Sequence, residues 1–193
     1  ENNQMGQIIQ ARFGIDFIPG IELCGMWRGK EVHILGYFIK ADNKYLEKHL
    51  KKVRDIKSAA AEKSVEKLRY FGLRVSLDEL NQLPQERTTP GWPLLSLMVS
   101  KGYVRNIIEY YTKFFSYGKP GYVKIEYPEL EEVLDIIDFA GGIPVLAHPG
   151  TLKVDSEVFK EIMSQKFKGI EAYSPYHTAE EIEFFKAYAQ KNG

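Results

Sequence analysis

The segment GGIPVLAHPG, residues 141 to 150, joins a short apolar run to a histidine that is followed directly by proline. An apolar run of this length after two glycines is typical of a strand that is buried on both faces in an α/β sheet. Side chains at the carboxyl ends of such strands line the ligand-binding mouth of the fold. His148 is therefore a candidate functional residue, and a hydrogen-bonded histidine without a ligand is the alternative.

Helix and strand patterns alternate on both sides of this segment. The helix pattern LEEVLDIIDFA precedes it, and the helix SEVFKEIMSQK, the strand GIEAYS and the helix TAEEIEFFKAYAQK follow it. Two further strands, 15–23 and 31–39, are joined closely through a connection that contains two glycines. Alternation of this kind predicts a parallel sheet covered by helices, either open or closed into a barrel.

The segment between about 43 and 128 carries helix patterns only. Apolar residues recur at three- and four-residue steps over 44–71, and Ser76 with Glu79 forms the signature of a helix start. Two shorter helix patterns follow, each ending at a glycine. We therefore predict an all-helical insertion at 43–128 in a discontinuous α/β domain made of 1–42 and 129–193.

Composition excludes several classes of protein. Lys and Arg number 26, as do Asp and Glu, so the net charge does not indicate a polyanion-wrapping or membrane-surface protein. The single cysteine, Cys24, cannot form an internal disulfide, and no apolar segment approaches the length of a membrane span. A cytoplasmic location is the expectation. The chain begins without methionine and without a first strand, so we expect a piece of a longer protein.

Glu22 and His33 are candidate metal ligands on the two closely joined strands. Glu22 ends the first strand, and a near-symmetric connection around Trp27 would bring His33 within about one residue of the position opposite, a gap that a bulge absorbs. Together with His148, they provide one carboxylate and two imidazoles, which suit Mn, Fe or Zn and leave coordination positions open. An exposed carboxylate and a solvent-facing histidine are the alternative.

The other two histidines, His177 and His49, are not expected to bind the metal. His177 directly precedes Thr178, the predicted cap of the last helix, where free amide groups and a histidine could bind a phosphate. An ordinary exposed loop histidine is the alternative. His49 lies within the lysine-rich helix and is expected on its solvent face. Glu171, near the start of GIEAYS, could support the site.

Several motifs taken together resemble those of the PHP (polymerase and histidinol phosphatase) family. They are FIPGIEL, EVHILGY, GGIPVLAHPG and GIEAYSPYHTAEEI, with YGKPGYV in the helical segment. The stand-alone metal-dependent phosphoesterases of the family, which include nucleoside-bisphosphate phosphatases and small-RNA exonucleases, are the most similar group. The resemblance implies a distorted β/α barrel with a cluster of two or three metals, whose ligands here are Glu22, His33 and His148. It also implies hydrolysis of a small nucleotide, a sugar phosphate or a short oligonucleotide by metal-activated water.

The chain also departs from the family pattern. The opening His-x-His strand, the Thr-Asp-His motif and the closing Gly-Ser-Asp-x-His motif are absent from these 193 residues. We therefore expect a barrel that is incomplete at both ends, with weak or no activity for this chain alone.

In the helical segment, the sequence 91–94, GWPL, replaces a Gly-Arg-Pro-His phosphate grip. Arg87 and Lys119 are candidates to bind the phosphate instead. The alternative functions are a non-catalytic binding or regulatory module and an accessory domain of a replication protein.

Overall fold

The computed structural model describes residues 2–83 and 93–193, and these form two compact units. The sheet unit comprises Glu1–Val53 and Tyr127–Gly193, and the helical unit comprises Arg54–Glu126. The elements in chain order are α1 (Asn2–Phe13), β1 (Gly20–Trp27), β2 (Lys30–Tyr37), α2 (Lys44–Tyr70), α3 (Leu77–Asn81), α4 (Pro93–Ser100), α5 (Ile107–Tyr110), α6 (Leu130–Phe139), β3 (Ile143–Leu146), α7 (Ser156–Met163), β4 (Gly169–Ile170) and α8 (Ala179–Asn192). A π-helical turn (Tyr111–Phe115) follows α5, and a 3₁₀ turn (Pro149–Leu152) follows β3.

Within the described ranges, the sheet has four strands in the order β1, β2, β3 and β4. Only β3 and β4 are parallel, whereas β1 with β2 and β2 with β3 are antiparallel. The expected parallel sheet is therefore present only at β3 and β4, which α7 connects. A single crossover helix enforces parallel pairing, and β2 and β3 are instead separated by the whole helical segment. The fold is mixed α/β, and closure into a barrel stays a prediction.

The hairpin of β1 and β2 has a different centre from the one expected. Trp27 pairs with Lys30, so the turn consists of Arg28 and Gly29, both with positive φ (47° and 78°). Two such residues form the tight turn whose twist matches that of two antiparallel strands. Strand β1 consequently continues to Trp27, and Glu22 lies inside the strand and not at its end.

Helix α6 supplies much of the core of the sheet unit. Its fully buried residues Val133 and Ile137 belong to the same apolar cluster as Val32 and Ile34 of β2. Burial of each of these side chains contributes roughly 1.5–3 kcal/mol. A Cβ atom at Gly25 would lie 3.0 Å from the Leu130 Cα, so glycine permits the close approach of the helix to the strand.

Helix α8 begins as the sequence predicted. The Thr178 hydroxyl accepts a hydrogen bond from the Glu181 amide, and the Glu181 carboxylate accepts one from the Thr178 amide. This capping box satisfies two amide groups at the helix start. Phe185, the buried residue of α8, packs against Phe159 of α7.

The helical unit has its own apolar core. Ser76 caps α3 as predicted, since its hydroxyl accepts a hydrogen bond from the Glu79 amide. The largest fully buried side chains of this core are Leu68, Met98, Val65 and Val104. Among the described residues, no helix combines the length and apolar character that crossing a bilayer requires.

His49 is buried, which contradicts the expectation that it lies on the solvent face of its helix. It lies in the part of α2 that belongs to the sheet unit, and only 1% of its side chain is exposed. Its Nδ1 is 3.8 Å from the Glu132 Oε1. Neither ring nitrogen has a hydrogen-bond partner among the described residues. Burial lowers the pKa of His49, and the nearby Lys52 charge adds to this effect. The imidazole faces α6 and not solvent.

Candidate metal centre

One face of the hairpin carries several polar side chains, and we call it the polar face, whereas the other face packs into the core. Leu23, Val32 and Ile34 are buried in the core. Cys24 and His33 are directly opposite each other, so their side chains lie on the other face. Glu22 precedes Cys24 by two positions and therefore lies on that same face, because side chains alternate with a period of two.

This register corrects the predicted relation between Glu22 and His33. Glu22 pairs with Leu35 and His33 with Cys24, so the two are offset by two residues in a regular ladder without a bulge. An offset of one residue would have placed them on opposite faces of the sheet. The observed offset brings His33 Nδ1 to 2.8 Å from Glu22 Oε1.

His33 is held between two carboxylates. Its Nε2 lies 2.9 Å from the Glu31 Oε1, on the side of the ring opposite to Glu22. The contact with Cys24, followed by those with Glu31 and Glu22, outweighs burial and raises the pKa of His33 to about 11. The raised pKa favours the doubly protonated ring, in which each nitrogen donates a hydrogen bond to the carboxylate that it faces.

His148 reaches the polar face through an unusual backbone conformation. Strand β3 ends at Leu146, and the Ala147 amide donates a hydrogen bond to the His33 carbonyl at 3.1 Å. Regular continuation would place residue 148 opposite Val32, whose side chain lies in the core. His148 instead has φ 27° and ψ 58°, a left-handed conformation that is rare for residues other than glycine. This turn directs the imidazole toward Glu22.

Two side chains stabilise this left-handed residue. The Glu171 carboxylate accepts a hydrogen bond from the His148 amide at 2.6 Å, and the Thr151 hydroxyl donates one to the His148 carbonyl at 2.9 Å. Since the Thr151 hydrogen is used in this way, its oxygen accepts from His148 Nδ1–H at 3.1 Å. In a tautomer with a single N–H group, this bond leaves the lone pair on Nε2, which lies 3.3 Å from Glu22 Oε1.

Glu22, His33 and His148 thus present one ligand atom each within 4.8 Å of one another. The two imidazole rings are 4.9 Å apart between centroids, in an edge-to-face arrangement. Burial alone would raise the pKa of Glu22, but its interactions with His33 and His148 lower it, which favours the ionised carboxylate. When each ring presents a lone pair to Glu22, the two lone pairs and the carboxylate oxygen repel one another unless a cation lies between them. This donor set fits a borderline divalent cation with open positions for water and substrate.

His177 is part of the support of this site. Its Nδ1–H donates to the Ala172 carbonyl at 2.9 Å, and its Nε2 accepts from the Gly150 amide at 3.3 Å. Both ring nitrogens are therefore engaged with the backbone, one of them in the 3₁₀ turn after His148. Binding of a substrate phosphate by His177 would require one of these bonds to break.

The other residues that were considered for phosphate binding belong to the helical segment. Lys119 is exposed in the helical unit, in a turn where its amide donates to the Ser116 carbonyl at 2.9 Å. Leu94 is buried in the core of that unit, with 5% of its surface exposed. Arg87 and Trp92 lie outside the described residues.

Thr151, Glu31 and Cys24 belong to this arrangement but were not predicted to do so. The signals were present, because Thr151 lies three residues after His148 and Glu31 lies two residues before His33 on the same strand. A hydroxyl at the end of a turn and a carboxylate on an exposed strand face are both common, however, and neither pattern by itself indicates a ligand.

Comparison with known proteins supports the interpretation of the motifs. The chain is 24% identical over 158 residues, or 82% of its length, to the 5′-3′ exoribonuclease Rnm of Escherichia coli. It is 27% identical over 188 residues, or 95% of its length, to the 3′,5′-nucleoside bisphosphate phosphatase of Chromobacterium violaceum. The chain spans 54% and 66% of the lengths of these two relatives. No family model matches the chain.

Solved structures share the fold. An amidohydrolase from Chromobacterium violaceum, with bound sulfate and no metal, has a TM-score of 0.84 and 26% identity, with 99% of this chain and 69% of that chain covered. A protein assigned as a metal-dependent phosphoesterase from Bifidobacterium adolescentis has a TM-score of 0.83 at 17% identity, with 97% and 68% covered, and shows the fold alone. The relatives and the shared fold support the resemblance of this chain to phosphoesterases of the PHP family.

Proposed function

We propose that this chain belongs to a divalent-metal-dependent phosphoesterase and that Glu22, His33 and His148 are metal ligands. The observation that carries the proposal is the convergence of one carboxylate and two imidazoles on a single point from three separate strands or strand ends. The left-handed conformation of His148 adds support. Strain of about 1–3 kcal/mol at a non-glycine residue persists only where the surroundings enforce it, and it occurs often at functional sites.

Each residue has a defined task in this proposal. A divalent cation bound here would activate water and neutralise charge on the phosphoryl oxygens. Glu22 supplies the negative charge of the site. Thr151 keeps the proton of His148 on Nδ1, and thereby keeps Nε2 free to bind. Glu31 accepts from His33 Nε2–H, which leaves Nδ1 as the ligand atom and fixes the orientation of the ring.

The names of the relatives narrow the substrate class. One relative is named as an exoribonuclease, another as a 3′,5′-nucleoside bisphosphate phosphatase, and a third, from Eggerthella lenta, as a phosphoribosyl 1,2-cyclic phosphate 1,2-diphosphodiesterase. All three names describe phosphate esters of a ribose. We therefore propose a phosphorylated ribose, in a nucleotide, a sugar phosphate or a short oligoribonucleotide, as the substrate class for this chain.

The test combines metal binding with hydrolysis. Binding of Mn²⁺ and Zn²⁺ is measured by calorimetry, and hydrolysis by the full-length protein that contains this chain is measured on a 3′,5′-nucleoside bisphosphate, a 5′-phosphorylated RNA pentamer and a generic phosphodiester. Glu22→Gln and His148→Ala are each expected to lower metal affinity and any metal-dependent turnover by at least about 100-fold, since loss of even a supporting residue costs 10–100-fold. Glu157→Gln, an exposed carboxylate on α7, serves as the matched control and should behave like the wild type.

The outcomes separate the two functions considered. Metal-dependent hydrolysis that both variants abolish supports the phosphoesterase. Binding of metal and of phosphorylated ligands without hydrolysis would favour the non-catalytic binding module. Unchanged metal affinity in Glu22→Gln and His148→Ala would contradict the proposed ligands.

A further inference from the structure

The polar face of the hairpin carries a second group of ligand atoms beside the one described above. Cys24, Glu31 and His33 each present one such atom, and the three atoms lie within 4.8 Å of one another. Cys24 is directly opposite His33, and Glu31 precedes His33 by two positions, so all three project from the same face. Because a single hairpin carries all three, the group depends only on the register of β1 and β2.

We propose that Cys24, Glu31 and His33 form a binding site for a thiophilic divalent ion of the zinc class. Thiolate, imidazole and carboxylate are all ligands of Zn²⁺, and three of them leave one tetrahedral position for water. The soft thiolate favours zinc over manganese or magnesium, which prefer oxygen ligands. This inference does not depend on the phosphoesterase activity, because the site would bind its ion whether or not the chain hydrolyses anything.

His33 belongs to both groups, and its two ring nitrogens face different carboxylates. Nδ1 faces Glu22 at 2.8 Å, and Nε2 faces Glu31 at 2.9 Å. A neutral imidazole has one lone pair and one N–H group. If Nε2 binds a thiophilic ion, the hydrogen is on Nδ1 and is donated to Glu22. If Nδ1 binds a metal beside Glu22, the hydrogen is on Nε2 and is donated to Glu31.

The two sites therefore exclude each other at this ring. An ion bound by Cys24 and Glu31 displaces the thiol proton and the Nε2 proton, and it removes His33 from the group of Glu22 and His148. That group keeps only two of its three ligands and loses affinity. A thiophilic ion would thus act as an antagonist of metal binding at the first group, through a change of tautomer and without a large movement of the chain.

Cobalt is a suitable probe, because Co²⁺ bound to a thiolate has a sulfur-to-cobalt charge-transfer band in the near ultraviolet. Cys24 is the single cysteine of the chain, so the band reports this residue alone. Titration of the reduced, metal-free chain should produce the band at one cobalt per chain. Cys24→Ser should abolish it, Glu31→Gln should weaken the cobalt affinity by about 10–100-fold, and Glu22→Gln should retain it.

Three results would contradict the proposed site. The first is the absence of the charge-transfer band in the wild type, and the second is a cobalt affinity that Glu31→Gln leaves unchanged. The third is a stoichiometry of one cobalt per two chains, which would indicate a thiolate bridge between molecules. Circular dichroism of each variant verifies the fold. Glu31 is exposed, so Glu31→Gln provides a test even if Cys24→Ser is destabilised.

A competition experiment tests whether metal binding at one group of ligands excludes metal binding at the other. Excess Mn²⁺, which favours the oxygen and nitrogen ligands of the first group, should lower the apparent cobalt affinity of the thiolate site in the wild type. The same excess should have a smaller effect in Glu22→Gln, where the first group is impaired. An equal effect of Mn²⁺ in both proteins would contradict the exclusion.

Discussion

His148 Nε2 lies 3.3 Å from Glu22 Oε1, although the two residues are 126 positions apart in the chain. The contact depends on the left-handed backbone of His148, because a regular strand would direct the ring into the core. Glu171 and Thr151 hold that conformation from both sides of the residue, through its amide and its carbonyl. The geometry of the site is therefore set as much by backbone hydrogen bonds as by the ligands themselves.

The strain at His148 predicts an unusual order of stability between two variants. Glycine adopts φ near 27° without a Cβ clash, whereas alanine retains the strain of the wild type. His148→Gly should therefore be more stable than His148→Ala by about 1 kcal/mol, after the greater unfolded-state entropy of glycine is included.

Urea denaturation of both variants measures this difference. Glu183, an exposed residue inside α8, provides the control, since glycine there should be less stable than alanine by roughly 0.5–1 kcal/mol, as in any helix interior. The same order at both positions would show that His148 is not strained.

Thr151 is expected to control metal affinity without touching the metal. Thr151→Val keeps the shape but removes the oxygen that accepts from His148 Nδ1–H, so the proton is free to occupy Nε2. Affinity for Mn²⁺ should fall by about 10–100-fold. Thr151→Ser keeps the oxygen and should restore affinity. Equal affinities of the valine and serine variants, measured by calorimetry, would rule out this role.

His49 should make stability depend on pH. The unfolded histidine takes up a proton near pH 6.5, whereas burial lowers the pKa of the folded residue. The unfolded state therefore binds more protons below about pH 6.5, and the unfolding free energy falls as the pH is lowered from about 7.5 to 5.5. His49→Leu should remove this part of the dependence, and it also replaces two ring nitrogens that lack partners among the described residues.

The comparison of wild type and His49→Leu isolates this effect from that of His33. The pKa of His33 is raised to about 11, so its contribution to metal-free stability is complete below pH 6.5 and is lost as the pH rises toward 11. Its window begins near pH 6.5 and overlaps only the upper part of the window of His49, and both proteins share it. Parallel stability curves for the two proteins between about pH 5.5 and 7.5 would contradict the expected titration of His49.

Gly150 is expected to be required for the position of His177. A Cβ atom at residue 150 would lie 2.7 Å from His177 Cδ2 and 3.0 Å from the Glu181 Oε2. Gly150→Ala should destabilise the chain by about 1–3 kcal/mol through this overlap.

A double-mutant cycle tests the cause. In a His177→Ala background the clashing ring is absent, so the penalty of Gly150→Ala should shrink by at least about 0.5 kcal/mol. Additive penalties, read from thermal or urea denaturation, would show that the ring is not what Gly150 accommodates.

Local pattern alone determined most of the elements of this protein. The helix after residue 43, the caps at Ser76 and Thr178, and the histidine that follows β3 were all predicted correctly. Each of these features depends on residues that are close together in the sequence. Such residues contact one another regardless of where the segment packs in the fold.

Tertiary structure decided the rest, because the relevant distances join residues that are remote in sequence. The turn at Arg28 and Gly29 sets the hairpin register and thereby puts Glu22 and His33 on one face. The Glu171 carboxylate, 23 positions from His148, helps to hold the left-handed residue. His49 is buried although it lies among lysines, since helix α6 covers a face that spacing alone does not identify. A one-residue shift in pairing would have separated the proposed ligands, and no local pattern specifies pairing to that accuracy.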